Sequence, residues 1–591
     1  MSSIAARRQF GSALIALVFL TVMGVAHSQT TNSWIDPSDG KWEKAHHWDD
    51  GSPSVSQSAV IISNANSKVV TIDTHTARNF PDSLTISNLS VFAPSGSSDT
   101  LYLDNTGTIA LHILNGLAIG FNPDDPFHVG GSELISTNST LIVDGLLGGQ
   151  LDDDGTVVIL GGSLITTNCS LLVASYFDPA GVLLIISNAV VQARDVTVIS
   201  SDFFSARIEV IGGTMTLSSS LTVGNGFMGY ESSLLVSDGA VLVVTNDATG
   251  IAVGDQSGGS MTVSNATFLA ADVFLGGDMD GGELTINNGT VTLSGVLIDG
   301  SGGQSGYGDV SLNGGLFVVT NDVTIIGEDN DGGILTISDG VFLGQTVLVG
   351  TEGFSQGVLS IQGGTSILSS NLQIGAEISD ALVSITGGQL FVTNGLISAS
   401  SQIEISGGQL AARIIVLGDP AGGALMVDGG SVTVSEGITL GDCSEQYDVG
   451  YVTVDGGQLI VTNAAHTGFI DVQNGQLTLD GGTLQVDKLV MTNTCGSLVH
   501  TGGTLIVGSV ILDPNTFRIV SVTPQGNDIL VTWMMGPGAT NTLQAASGAT
   551  SGFADIFIVT NNTTTGCITN YLDVGAATNV PSRFYRARLS P

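Results

Sequence analysis

Two short stretches place carboxylates close together in Gly-rich turns: Gly276-Gly277-Asp278-Met279-Asp280-Gly281 and Gly327-Glu328-Asp329-Asn330-Asp331-Gly332. Carboxylates on a tight turn, joined by its backbone carbonyls, are the hard oxygen donors that Ca²⁺ takes. Both stretches depart from the D-x-D-x-D-G loop at its first position, where Gly stands. The G-G-x-G-x-D nonapeptide is not matched in order anywhere. A looser pattern, apolar residue then Gly then acid, recurs at Val253-Gly254-Asp255, Ile326-Gly327-Glu328, Leu417-Gly418-Asp419 and Leu440-Gly441-Asp442. Asp255, Asp278, Asp280, Glu328, Asp329, Asp331, Asp419 and Asp442 are therefore expected to form an acidic stripe. It is read as a row of solvated turns, with weak Ca²⁺ binding as its chemical alternative. No other cofactor is implied.

Paired carboxylates can also hydrolyse glycosides when they stand roughly 5–10 Å apart. A repeating acidic turn supplies such pairs by repetition alone, so the pattern assigns no catalytic residue. Asp152-Asp153-Asp154 and the loop "NPDDPFHVGG" (122–131), with His128 beside two acids, are read as loops. Arg194 and Arg207 have no His near them in sequence, and no GHG or RIK motif occurs. From Ile208 to Ala412 there is no Lys, Arg or His to take a proton beside an acidic sugar. Trp34, Trp42 and Trp48, crowded into "SWIDPSDGKWEKAHHWDDGSP", are the remaining chemical candidates. They are read as a cap over an open β edge, and alternatively as an aromatic platform for carbohydrate.

The elements that would carry these residues follow from a repeat. The second Gly of successive Gly-Gly pairs falls at 162, 213, 315, 364, 388, 408, 430, 457, 482 and 503, which spaces units about 24 residues apart. Within a unit, "LFVVTN", "DVTIIG" and "ILTISDG" alternate apolar and polar residues, the two-residue period of strands. Three short strands per unit of this length predict one coil of a parallel β-solenoid, right-handed by the crossover rule. Asn168, Asn321, Asn394 and Asn463 recur six residues after a Gly-Gly pair and predict a stacked amide ladder. Cys443 and Cys495 fall two coils apart, about 9–10 Å at the spacing of stacked strands; that predicts no disulfide between them.

The 591 residues include 81 Gly, 53 acids and 14 Lys and Arg, giving a formal charge of −39. Such a surface repels nucleic acid. Residues 1–28 read as a signal peptide: Arg7 and Arg8, an apolar run from Ser12 to Val25, and Ala26-His27-Ser28 before the expected cleavage. No other apolar run is long enough to span a membrane. The expected organisation is a signal peptide (1–28), a Trp-rich cap (29–56), a solenoid (57–515) and a small C-terminal antiparallel β-sandwich (516–591). The last is marked by "FRIVSVTPQGNDILVTWMM" and "RFYRARL".

The Trp-rich entry, the "GG-x-L-x-V" coils and the terminal "RFYRARL" resemble exported repeat proteins of environmental Gram-negative bacteria, notably Verrucomicrobia and Planctomycetes. Those are similar to autotransporter-passenger β-helices. The resemblance implies an extracellular or outer-surface location and no particular activity. The chain departs from autotransporters in having no C-terminal membrane-barrel pattern. The function expected is a secreted or surface-displayed structural and adhesive rod that meets polysaccharide or the cell surface. The alternative is a polysaccharide-binding or polysaccharide-degrading β-helix of pectin-lyase-like architecture.

Overall fold

The computed structural model describes residues 30–590 except the segments 121–128, 146–147, 152–154, 176–181, 201–204, 225–231, 246–249, 256, 278–280, 301–306, 321–322, 329–331, 352–354, 377–378, 446, 493–494, 513–517, 551 and 579–581. The expected signal peptide lies outside the described residues. Among them, no helix is long and apolar enough to cross a membrane.

One coil shows how sequence becomes structure. The strands Ser232–Ser237, Val241–Val244 and Ile251–Val253 each bury alternate residues. Leu234, Val236, Leu242, Val244, Ile251 and Val253 point inward, and the residues between them face out. The next coil repeats the triangle at Gly259–Ser264, Thr267–Ala270 and Val273–Leu275, paired in parallel and in register with the first. A coil has no partner for its own apolar interior. Stacking gives it one, and about 17 turns share a single core.

The coil length agrees with the Gly-pair spacing. One inward column climbs from Leu134 through Val157, Leu184, Ile208, Leu234, Met261 and Leu284. It continues through Val310, Leu335, Leu359, Val383, Ile403, Leu425, Val452 and Leu477 to Leu498. That is 15 steps of 20 to 27 residues, a mean near 24. The first coils are longer: Val70, Leu101 and Leu134 are 31 and 33 residues apart. The extra chain includes a one-turn helix, Thr74–Asn79, capped by Asp73.

Gly-Gly pairs turn the chain between the first and second strands. Gly408 has φ +63°, and a Cβ there would lie 2.5 Å from the Gly387 carbonyl oxygen of the coil below. Only a residue without a side chain allows that stacking. Earlier coils fill the same corner with Asn at positive φ, as at Asn105, Asn138, Asn188, Asn265 and Asn288, the residue type that best tolerates it after Gly. Here the amides do stack: Asn138 Nδ2 donates to Asn105 Oδ1 at 3.1 Å. The expected ladder of Asn168, Asn394 and Asn463 does not form. Their neighbours are Asp144, Ser370 and Ser435, because the intervening coils carry other residues in that column. Asn321 lies outside the described residues.

Cys443 and Cys495 are bonded, with Cα atoms 5.8 Å apart, which corrects the expectation from coil spacing. The register was right and the corner lengths were not. Cys443 sits in a nine-residue corner, between strands Ser431–Leu440 and Gly450–Val454. The coil between the two cysteines turns in only two residues, Gln473 and Asn474. The long loop folds over the short corner, and Asn474 Nδ2 holds it by donating to the carbonyls of Asp448 and Asp442 at 2.9 and 3.3 Å.

Both ends are covered. At the start, Thr31–Ser33 and Gly40–Lys41 pair with the first full coil. A fully buried ion pair, Lys68 to Asp99 at 2.6 Å, joins the first two coils. At the far end, two three-stranded antiparallel sheets form the expected sandwich around Val531, Trp533, Met535 and Leu543. Phe557 of one sheet stacks on Tyr571 of the other at 4.8 Å. Met534 and Val520 enter the solenoid core, and Arg518 donates to the Gly496 carbonyl.

Candidate functional site

The acidic turns lie on one corner of the coil, after the third strand. Gly224, Gly254, Gly276, Gly300, Gly327, Gly350, Gly375, Gly418 and Gly441 all have positive φ there. Each amide bonds to the coil below, Gly254 N to Val223 O at 2.7 Å and Gly441 N to Leu417 O at 2.7 Å among them. The acids follow these glycines at irregular intervals. Asp255 and Glu328 are three coils apart, about 14 Å at one strand spacing per coil, with Gly276 and Gly300 between them in the ladder. One ion cannot bridge them. Asp419 and Asp442 are on adjacent coils, but the Asp442 carboxylate already accepts from the Ser444 amide at 2.8 Å. That bond holds its pKa below the ordinary range. Among the described residues, Asp255 and Glu328 stand on separate corners, and Asp419 and Asp442 belong to one cluster near the disulfide. In that cluster Asp448 is held above the ordinary carboxylate range, first by burial and then by the charges of Asp419, Glu445 and Asp442. Among the described residues no three His, Cys, Asp or Glu side chains are grouped to hold a metal. Asp278, Asp280, Asp329 and Asp331 lie outside the described residues, as do Asp152-Asp153-Asp154 and His128.

The tryptophans are a cap. Trp34, Trp42 and Trp48 are 1%, 0% and 3% exposed, which corrects the carbohydrate-platform reading: no ring face is open to a sugar. Trp48 packs edge-on against both others at 5.0 and 5.2 Å. Trp42 Nε1 donates to the Ser83 carbonyl at 3.0 Å, and Trp48 Nε1 to the Trp42 carbonyl at 2.9 Å. His47 stacks on Trp34 at 4.8 Å and pairs with Asp36 at 2.7 Å, so it is committed to the cap.

Two features escaped the sequence reading. Asp299 occupies an inward position where the flanking coils have Leu275 and Ile326. It is 0% exposed, and among the described residues neither carboxylate oxygen has a partner in good hydrogen-bond geometry. Burial first, then the charge of Asp309, pushes its pKa well above the ordinary range, against the opposing pull of the Ile334 amide. The signal was present, since "LIDG" at 297–300 puts Asp where "TIIG" and "LQIG" put Ile. The second feature is a groove of about 440 Å³ on the outer face, lined by Asp380, Leu382, Ser400, Gln402, Ala424 and Tyr451. It needs the relative lengths of neighbouring corners, which a mean period does not carry.

Comparison of the chain with protein-family models, with curated proteins and with solved structures finds no match.

Proposed function

We propose that the chain is an exported structural and adhesive rod, displayed on the outer cell surface. The observation that carries this reading is the unbroken stack: about 17 parallel turns on one aliphatic core, closed at one end by buried indoles and at the other by a docked sandwich. One strand spacing per coil makes the stack roughly 80 Å long. A form of this kind holds a distant surface at a fixed reach. The acidic, base-poor coils favour solubility and self-repulsion over packing of rods against one another, which suits display at high density. The leader-like residues 1–28 supply the route out of the cytoplasm. The basic residues of the terminal sandwich, Arg583, Arg586 and Arg588, are tied to its own acids and amides, which fits a module that terminates the rod.

The test is a deletion of the gene with readout of attachment. Cells lacking the chain should lose adhesion to polysaccharide-coated surfaces and regain it with the complete gene. Unchanged adhesion would remove the adhesive half of the reading.

A further inference from the structure

The corner column that carries the acidic turns contains two corners of only two residues among the described coils. Gln473-Asn474 is one, and the nine-residue loop of Cys443 roofs it. Ala399-Ser400 is the other, between strands Gln389–Ser398 and Ser401–Ile405. It stands between corners of six residues (375–380) and five (418–422), and nothing in the described chain roofs it. The coils that meet there are short: Val383 to Ile403 takes 20 residues and Ile403 to Leu425 takes 22. The result is a notch in an otherwise even face.

The notch opens onto an outward ladder of known order. Leu382, Gln402, Ala424 and Tyr451 are successive partners in register, so the row spans about 14 Å over three strand spacings. Ala424 is small and stands between a long amide and a phenol, which hollows the face beside Tyr451. Tyr451 is 49% exposed, so a substantial part of its side chain faces solvent. Asp380 and Ser400 add a carboxylate and a hydroxyl at the rim.

We infer that this notch is a seat for a neutral glycan. A sugar ring has one apolar face and a polar edge. An aromatic side chain takes the first, while an amide, a hydroxyl and a carboxylate take the second. The charge decides the class. Among the described residues no basic side chain lines the groove, Asp380 does, and the whole chain carries −39. Uronic-acid polymers are repelled, and uncharged glycans are not. The inference rests on the adhesive reading and gives it a place on the rod.

The experiment titrates cellohexaose, N-acetylchitohexaose and a galacturonic-acid hexamer into the purified chain without its leader, with calorimetry and saturation-transfer NMR as readouts. At least one neutral hexamer should bind and the acidic one should not. Tyr451→Ala should weaken binding about tenfold, the scale of one lost aromatic contact, and Gln402→Ala should weaken it less. Tyr307→Ala removes a tyrosine of similar exposure, 44%, outside the notch, and should leave binding unchanged. Melting temperatures of all variants check that the coil remains folded. Absence of binding to both neutral hexamers, or equal binding by Tyr451→Ala and wild type, overturns the inference. Surface location is read separately, by antibody labelling, so failure of the seat is distinguishable from failure of the displayed rod.

Discussion

Cys443 and Cys495 belong to coils separated by a whole turn of the solenoid, yet their Cα atoms are 5.8 Å apart. The bond crosses the two-residue corner Gln473-Asn474 and pins the long loop 441–449 over it. It closes a 52-residue separation in sequence, so its main effect is to restrict the unfolded chain.

A non-reducing peptide map should recover Cys443 and Cys495 in one linked species. Replacing both by Ser should cost about 2–4 kcal/mol, measured by guanidinium unfolding, and the same loss should appear in wild type with reductant. Stability indifferent to reductant would mean that the bond is not formed in solution.

Asp299 should be a liability at neutral pH. Its folded pKa is raised by burial, so the folded state holds its proton more tightly than the unfolded chain does. The penalty is absent below the unfolded value near 4 and grows as pH rises through the folded one. Asp299→Leu should therefore stabilise the chain by about 1–3 kcal/mol at neutral pH, with the gain shrinking in acid. A gain that is constant with pH would show that the carboxyl does not titrate in place.

The Trp cap should loosen in strong acid ahead of the coils. Burial disfavours charge on Asp73, but Lys41 at 2.7 Å and the Thr76 amide at 2.9 Å outweigh it, and its pKa falls to about 2. Here the folded value lies below the unfolded one. The stabilisation is complete above the ordinary carboxylate value and is lost as pH falls towards 2. Tryptophan emission should shift red in that window. Asp73→Ala, which removes the helix cap, should cost about 1 kcal/mol. Emission that already shifts well above that window would show that the Asp73 contacts do not control the cap.

Glycines of the first corner should differ sharply by surroundings. Gly408→Ala meets both positive φ and the Gly387 carbonyl, and should lose more than about 2 kcal/mol. Gly239 also has positive φ, +79°, but has open space where a Cβ would go. Gly239→Asn should stay within about 0.5 kcal/mol of wild type. Equal losses in thermal melts would contradict the stacked-corner geometry.

The fold was legible because one period governs it. The Gly-Gly spacing gave the coil, and alternation such as Leu335-Thr336-Ile337 gave the inward column that the register reproduces. The antiparallel sheets at the C-terminus were legible from the change of pattern after the last coil. Corner length was not, because a mean period averages it away. That is why the Cys443–Cys495 bond and the open corner at Ala399-Ser400 were both missed. The acidic turns were legible as a recurring motif but not in their spacing: Asp255 and Glu328 follow Gly254 and Gly327, while Gly277 and Ser301 follow Gly276 and Gly300. The tryptophans were legible as a cluster, but a cluster alone does not say whether it faces in or out.

The displayed rod is tested most directly by labelling cells of the source organism with antibody raised against the purified chain. Intact cells should label at the outer surface as strongly as permeabilised cells, and the recovered chain should begin near Gln29. Labelling that requires permeabilisation, on a chain that still carries residues 1–28, would contradict surface display.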